Sequence, residues 1–243
     1  MRGSILFSFV FYSFMTFGQN GETGTKSKNI EELAPKRFIS SIGLFVGPSF
    51  LYPALLINNT YQSSGSKFGY SFGISIIHSV TRFDIEAKVI SDHKQFQLVN
   101  YHDPGNPSSK STYDLTNNYL SFILIPKYTL DRKGHFKIGI GGYLSFLQKS
   151  QWIIAVMNAG VSNFLGTMDS SEYYEPTDFG VVSSISYQYR INKAYSFGVE
   201  LLNTNGLKTI INSSYSASMV AVPIERNNNI NLTFFFNIKL RNN

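Results

Sequence analysis

The stretch RFDIEAKV, residues 82–89, alternates charged and apolar side chains without exception. In an extended strand, successive side chains point to opposite faces, so its four charges share one face. They are Arg82, Asp84, Glu86 and Lys88. A Lys or Arg facing hydrocarbon at a bilayer midplane would cost about 2–4 kcal/mol. If this strand crosses a membrane, its charges therefore face an enclosed interior, where their mixed signs let them pair. A soluble sheet with one solvated face would show the same alternation.

The same two-residue period recurs along the chain. In residues 230–240 six apolar side chains share one face, and Phe235 is the exception on the polar face. Residues 136–146 separate bulky apolar side chains from Lys137, glycines and Ser145 in the same way. All of these segments reach the roughly 9–11 residues that a tilted strand needs to cross hydrocarbon. We predict strands at 39–50, 67–79, 82–92, 117–129, 135–147, 178–190, 194–204 and 228–241, and we expect the third to extend through Asp92 to Val99, beyond the membrane.

The links between these strands alternate strictly between short and long. Three are tight turns of polar or glycine residues, and the long links cover residues 51–66, 93–116, 148–177 and 205–227. Outer-membrane barrels have short periplasmic turns and longer external loops, an asymmetry that a soluble sandwich has no reason to share. We therefore predict an all-β fold over residues 38–243. It is an eight-stranded antiparallel up-and-down transmembrane β-barrel with short periplasmic turns, long external loops and both termini in the periplasm.

The first residues have the composition of an export signal. Arg2 precedes an apolar run at 5–17 that is too short to span a bilayer as a helix. Thr16 and Gly18 are small enough for signal peptidase, so we predict a signal peptide at 1–18. Residues 19–37 are polar and predict a flexible periplasmic segment. The chain after the signal contains no run of eighteen apolar residues, so no transmembrane helix is predicted.

Composition excludes several classes of function. The 243 residues include no cysteine, which removes disulfides, thiol catalysis and cysteine-based zinc sites. Aromatic residues form 15% of the chain, a share expected where aromatic girdles meet lipid. The net charge of +6 could indicate nucleic acid, but Lys and Arg are scattered and often alternate with apolar residues. We predict no nucleic-acid partner.

An eight-stranded barrel has an interior just wide enough for side chains to fill. We therefore predict a plugged lumen that does not conduct like a general porin. The residues predicted to line it are Arg82, Asp84, Glu86, Lys88, Lys127, Lys137, Glu200 and Lys239. Pro126 lies in a predicted strand, where a proline removes a ladder hydrogen bond, so we expect a β-bulge there.

Histidines and acidic residues are the candidates for catalysis or metal binding. The histidines are His78, His93, His102 and His135. His93 and His102 are predicted in or near the second long link beside Asp92 and Asp103, without a serine motif. The third long link carries an acidic group at spacing that fits no recognised calcium loop: Asp169, Glu172, Glu175 and Asp178. We predict no catalytic residue, no cofactor and no metal.

That third link opens on an apolar stretch, Trp152 to Met157. We expect this stretch to extend the preceding strand, to pack at the lipid interface or to form a partner surface, with the first two favoured.

From residue 119 onward the chain resembles the outer-membrane β-barrel family of Bacteroidetes-type bacteria that includes the PorT-like proteins. The matching pieces are YLSFILIPKY (119–128), HFKIGIGGYLSFL (135–147), TDFGVVSSISYQYRI (177–191), YSFGVELLNTNGLKTI (195–210) and NINLTFFFNIKL (229–240). Asp178-Phe179-Gly180 and Gly206-Leu207 are the more specific of these features. The family often has Glu-Ile-Pro after the Tyr-Leu of the fourth strand, where this chain has Ser121-Phe122-Ile123.

From the strand and link pattern and the export signal we expect a non-enzymatic protein of the cell outer membrane. The resemblance implies a role in the cell envelope, including support of protein secretion or surface translocation. The partners it implies are outer-membrane lipid and secretion or envelope proteins, and it leaves the oligomeric state open. Two alternatives belong to other classes. One is a barrel enzyme acting on lipids or peptides, and the other is a soluble periplasmic binder of an apolar ligand, similar to a lipocalin.

Overall fold

The computed structural model describes residues 39–51, 62–101, 110–158, 161–210 and 226–240. The predicted signal peptide (1–18) and N-terminal segment (19–37) lie outside these residues. The described strands are β1 Ser41–Leu51, β2 Gln62–Val80, β3 Phe83–Tyr101, β4 Lys110–Thr129, β5 Phe136–Asn158, β6 Val161–Asp169, β7 Thr177–Arg190, β8 Tyr195–Gly206 and β9 Asn229–Lys239. A 3-10 helix covers Ser171–Tyr173. Within these ranges no helix is long and apolar enough to cross a membrane.

Eight strands close into an antiparallel barrel, as predicted. Each of β1 to β4 pairs with the next strand, β5 pairs with β7, and β7, β8 and β9 follow in order. The seam forms between β9 and β1, where Leu44 lies opposite Phe236. The ninth strand, β6, is not part of this wall. It pairs with the distal half of β5, from Gln151 to Asn158.

Strands β2 to β5 are longer than the sequence predicts. Much of the predicted links at 93–116 and 148–177 is strand, so the boundaries predicted for these links are wrong. In these extensions the side chains still alternate between the two faces, but the inward ones are apolar. Phe96, Leu115 and Trp152 are buried on the inner face. The apolar stretch that begins at Trp152 extends β5, as expected. With β6, the distal parts of β2 to β5 form a sheet that continues one side of the wall beyond the barrel, here called the distal sheet.

The outer face of the barrel is an apolar band with a defined upper edge. On β3 the outward side chains change from apolar at Val89 to polar at Ser91 and His93. On β4 the change falls between Leu120 and Asn118. Since Ser91 pairs with Leu120 and His93 with Asn118, the two changes occur within one outward residue pair of each other. Outward residues within the band are exposed, for example Leu44 at 60% and Ile140 at 65%.

Aromatic rings border this band at both ends. At the short-turn end Phe83 packs on Tyr128 with ring centroids 5.1 Å apart, and Phe136 packs on Tyr187 at 4.9 Å. Tyr189 with Phe197 and Tyr195 with Phe236 continue this girdle. At the other end Phe50 meets Phe68 at 4.8 Å and Phe122 meets Phe146 at 6.1 Å. Paired aromatic girdles of this kind mark the two interfaces of a membrane-spanning barrel.

The short turns lie at the same end of the barrel as the start of β1 and the end of β9. The Leu240 amide donates to the Ser40 carbonyl at 3.0 Å, which places the start of β1 beside the end of β9. In the β4–β5 turn, the Asp131 carboxylate accepts hydrogen bonds from the Phe136 and His135 amides. These bonds, the one from Phe136 first, hold the pKa of Asp131 below its usual value.

Arg82 and Pro126 do not take the positions that the sequence predicts. Arg82 was predicted to face the lumen, but it lies in the β2–β3 turn, exposed, with its guanidinium 3.4 Å from the Tyr128 hydroxyl. The alternation would direct Arg82 into the lumen only if the strand included residue 82. Because β3 begins at Phe83, Arg82 lies outside the strand. Pro126 makes no bulge, because the β4–β5 ladder stops at Leu124 and resumes at Lys127 in unchanged register. The proline removes its hydrogen bond without adding a residue.

Cysteines introduced at Leu44 and Phe236 are expected to form a disulfide, because these residues oppose each other across the β1–β9 seam. The native chain has no cysteine, so a mobility change on a non-reducing gel reports this pair alone. As a control, Leu44→Cys with Leu232→Cys places the second thiol about 13 Å further along β9 and should stay reduced. Equal cross-linking of the two pairs would contradict the observed closure.

Candidate functional site

The middle of the barrel is filled by a closed ring of four charged side chains, here called the charge ring. It consists of Glu86 and Lys88 on β3, Lys127 on β4 and Glu200 on β8. Lys127 Nζ lies 2.6 Å from Glu200 Oε1, and Lys88 Nζ lies 3.3 Å from Glu86 Oε1. Lys88 also contacts Glu200 directly, and Lys127 contacts Glu86. Each ammonium thus meets both carboxylates, and the ring is neutral.

The alternation of the strands brings these charges together. Glu86 and Lys88 are two residues apart on β3 and therefore point the same way. Glu200 reaches them from β8, so the ring spans the lumen rather than following one wall. Its side chains are almost completely buried, with Glu200 at 1% exposed. Such charges are stable in the interior because every one is paired, whereas removal of one partner leaves an uncompensated charge.

Interior aromatic rings pack over glycines of the neighbouring strand. Phe45 pairs with Gly73, and a Cβ on that glycine would lie 2.6 Å from the ring. Phe235 pairs with Gly198, where a Cβ would lie 2.4 Å from its ring. This arrangement explains why Phe235 breaks the polar pattern of β9. The Phe45 ring also lies 4.8 Å from Lys88 Nζ, which supports the charge ring by a cation–π contact.

Below the charge ring, towards the short turns, a second polar layer crosses the lumen. Lys137 Nζ lies 2.5 Å from Asp84 Oδ2 and donates to Gln188 Oε1 at 2.8 Å. Gln188 in turn donates to Ser196 Oγ at 2.6 Å. This layer joins β3, β5, β7 and β8, so the interior is filled on the short-turn side as well.

Above the charge ring lies a third polar layer, which the sequence analysis did not predict as part of the lumen. Lys94 donates to Asn227 at 2.8 Å, and Asn227 donates to Asp178 at 3.1 Å. The Tyr143 hydroxyl donates to the same carboxylate at 2.8 Å. Asp92 lines a cavity with room for about one water molecule. Asp92 and Lys94 lie four and six residues beyond Lys88 and therefore share its face, but the apolar Ile90 and the polar Ser91 interrupt the sequence alternation that would have indicated this.

An apolar cluster closes the distal end of the described lumen, here called the apolar cap. It consists of Leu51, Phe96, Leu115, Trp152, Tyr174 and Ile210. Trp152 anchors it, with ring centroids 5.7 Å from Tyr173 and 6.4 Å from Tyr113. Burial raises the pKa of the Tyr174 hydroxyl, which therefore stays neutral. Chain from the third and fourth long links, at Tyr174 and Ile210, completes the cap.

Six of the eight predicted lumen residues face the interior: Asp84, Glu86, Lys88, Lys127, Lys137 and Glu200. Arg82 does not, as described above. Lys239 follows the inward register of β9 but is exposed, because it lies at the open short-turn end. The prediction for Lys239 is therefore wrong about enclosure and right about the side of the strand.

The histidines and acids considered as candidates are not gathered in one place. Asp92 points inward, whereas His93 points outward, stacks on Tyr70 at 4.6 Å and lies 2.5 Å from Asn118 Oδ1. His93 thus belongs to β3 rather than to a loop, and His102 and Asp103 lie outside the described residues. His135 packs against Tyr187 at the short-turn end.

The predicted acidic group of the third link is dispersed in the same way. Glu175 pairs with Lys208 at 2.9 Å, Asp178 is buried in the upper polar layer, and Asp169 accepts the Ser171 amide. Hydrogen bonds from Ser171, the one from its amide first, hold the pKa of Asp169 below its usual value. Within the part of the chain that the structure describes, no three His, Asp or Glu side chains could hold a metal ion together.

Neither the protein-family models nor the sequences of curated proteins match this chain. Several solved structures do. Neisserial surface protein A (NspA) is 16% identical over 82% of this chain and 96% of its own, with a TM-score of 0.39. Outer membrane protein W of E. coli is 10% identical over 83% and 98%, with a TM-score of 0.36. OprG of Pseudomonas aeruginosa is 9% identical over 84% and 97%, at 0.35. These TM-scores are too low to support an argument about the fold. The barrel architecture is therefore assigned only from the strand pairing within this chain.

Replacing Glu200 with Gln is expected to lower the free energy of unfolding by about 3–5 kcal/mol, because Lys88 and Lys127 lose the carboxylate they share. Urea unfolding of the protein in lipid vesicles measures this loss. Lys67→Met is the control, since its pair with Asp114 is about one-third exposed and should contribute about 0–1 kcal/mol. A Glu200→Gln variant as stable as this control would contradict the role of the charge ring.

Proposed function

We propose that this chain is an outer-membrane β-barrel protein of the bacterial cell envelope that acts as a sealed anchor, neither a channel nor an enzyme. The single observation that carries the proposal is the charge ring, which spans the lumen with paired and almost completely buried side chains. An ion that crossed the barrel would have to separate these pairs. The apolar cap presents a second obstacle at the distal end.

The proposed place in a membrane is supported by the wall itself. In lipid every backbone N–H and C=O needs a partner within the protein, and closure at the β1–β9 seam provides one along both edges. The exposed apolar band and its two aromatic girdles supply the surface that acyl chains and headgroups would contact. A soluble, lipocalin-like barrel would instead carry its apolar residues inside and its charges outside, the reverse of this arrangement.

The distal sheet is the part of the described chain best suited to meet other proteins. Its inner face is covered by the apolar cap, and its outer face carries polar residues such as His93, Gln95 and Thr116. At its margin, β6 exposes Phe164 at 66% and Leu165 at 65%, well beyond the apolar band. Exposed apolar pairs of this kind are suited to contact a partner.

We further propose that these contacts serve protein secretion or surface translocation, through the distal sheet or the N-terminal segment in the periplasm. This part of the proposal is supported by the predicted export signal and by the resemblance of residues 119–240 to PorT-like barrels. A barrel enzyme is the second candidate class. The separation of His93 from Asp92 on opposite faces of β3 weighs against a catalytic pair there.

The purified barrel in planar lipid bilayers is expected to show no discrete conductance steps, because the charge ring fills the lumen. Because the lower polar layer and the apolar cap also obstruct the lumen, replacing the four ring residues alone with serine should produce no conductance. The same change combined with Asp84→Ser, Lys137→Ser and Trp152→Ser should open a path for water and produce ion conductance. The matched control replaces Lys67 and Lys149, which lie outside the ring, with serine. This control should show no conductance. A gel comparison of heated and unheated samples shows which variants fold. Discrete steps from the unaltered protein would rule out a sealed anchor.

Deletion of the gene is expected to reduce the delivery of exported proteins to the cell surface, as measured by surface biotinylation. The unaltered gene should restore delivery, whereas Phe164→Ser with Leu165→Ser should not, because the exposed apolar pair is lost. Asn163→Ala with Thr167→Ala changes exposed polar residues of the same strand and should restore delivery. If the deletion strain displayed the same set of surface proteins as the parent strain, the proposed role in secretion would be contradicted.

A further inference from the structure

We propose that the short-turn end of the barrel is a collar that binds the phosphate groups of anionic phospholipids. The collar consists of six exposed cations: Arg82, Arg132, Lys133, Arg190, Lys193 and Lys239. This inference rests on the proposed place in a membrane, and it adds a lipid preference that the sealed-anchor function does not require.

Positive charge in the described chain is distributed unevenly along the barrel axis. The two deeper polar layers are balanced, because Lys88, Lys127 and Lys137 face Asp84, Glu86 and Glu200. At the distal end cations and acids are also equal in number. The cations there are Lys67, Lys94, Lys110, Lys149, Lys208 and Arg226, and the acids are Asp92, Asp114, Asp169, Glu172, Glu175 and Asp178.

The short-turn end is different, because its six cations accompany one carboxylate, Asp131. That carboxylate is already engaged by the amides of Phe136 and His135. All the excess positive charge of the described residues therefore lies at this end, where exposed cations are free to meet anions from outside the protein.

The positions of the cations match a lipid annulus better than a single protein contact. They occur in three separate hairpin turns, β2–β3, β4–β5 and β7–β8, and at the end of β9, which are spread around the rim. Two of these groups adjoin the lower aromatic girdle. Arg82 approaches the Tyr128 hydroxyl, and Arg190 directly follows Tyr189, which packs on Phe197. Aromatic rings at headgroup depth with cations beside them form an interfacial surface for phosphate.

The chain's own N-terminal segment is a poor alternative occupant. Residues 19–37 carry Glu22, Glu31 and Glu32 against Lys26, Lys28, Lys36 and Arg37, so this segment is itself slightly basic. It offers no complementary charge to the collar. An acidic periplasmic protein would need one continuous basic patch, whereas the collar distributes its charge around the whole rim.

The test measures the association of spin-labelled lipids with the full-length barrel reconstituted in vesicles. Spin-labelled phosphatidylglycerol is expected to be selected several-fold over spin-labelled phosphatidylcholine, and added salt should reduce this preference. The collar variant, Arg132→Gln, Lys133→Gln, Arg190→Gln and Lys193→Gln, should lose most of the selectivity. The matched control removes four distal cations, Lys67→Gln, Lys110→Gln, Lys149→Gln and Lys208→Gln, and should keep it.

Equal selectivity in the collar variant and the unaltered barrel would overturn the inference, as would equal loss in the collar and distal variants. A barrel that inserts normally but shows no preference for phosphatidylglycerol would overturn it in favour of a periplasmic partner. Failure of the unaltered protein to insert into any of these vesicles would instead contradict its proposed place in the membrane. Gel mobility before and after heating distinguishes that failure from a loss of lipid preference.

Discussion

The pairing of β9 with β1 is the constraint on which the rest of the structure depends. Closure removes both open edges of the sheet, so the backbone of the wall is hydrogen-bonded within itself. Once the wall is closed, each strand has one enclosed face and one outer face. The two-residue alternation then places polar side chains in a narrow interior and apolar side chains on the outside, the reverse of a soluble protein core.

A narrow interior determines how the enclosed charges must be arranged. Three polar layers lie one above another, and the central one is the neutral charge ring. The ring side chains are almost completely buried, so each charge depends on its paired partners, and contacts across the lumen hold opposite walls together. Glu200 exemplifies this role, because it ties β8 to β3 and β4. Stability and closure to ions thus arise from the same contacts.

Much of this architecture follows from the alternation, and the departures have physical reasons. All eight wall strands and the four residues of the charge ring were predicted. Because side chains alternate with a period of two, assigning the charged face of a strand to the lumen fixes the direction of every other side chain in that strand. Arg82 was misplaced because alternation continues into a turn without marking the strand end. The distal sheet was predicted only in part, as an extension of β3 and of the strand that continues at Trp152. Polar outward residues beyond the band resemble loop sequence, although Phe96 and Leu115 keep the inward pattern. Cross-lumen partners such as Asn227 and Asp178 require three-dimensional register, which sequence spacing does not provide.

The central claim is that the apolar face of each wall strand contacts acyl chains while the polar face lines an enclosed interior. Single spin labels on β9 of the reconstituted protein test it most directly, with collision rates measured for oxygen and for a water-soluble nickel complex. Labels at Phe234 and Phe236 should collide preferentially with oxygen, and labels at Asn231 and Asn237 should be shielded from it. Labels at Phe234 and Phe236 that met the nickel complex, while those at Asn231 and Asn237 met oxygen, would contradict the account.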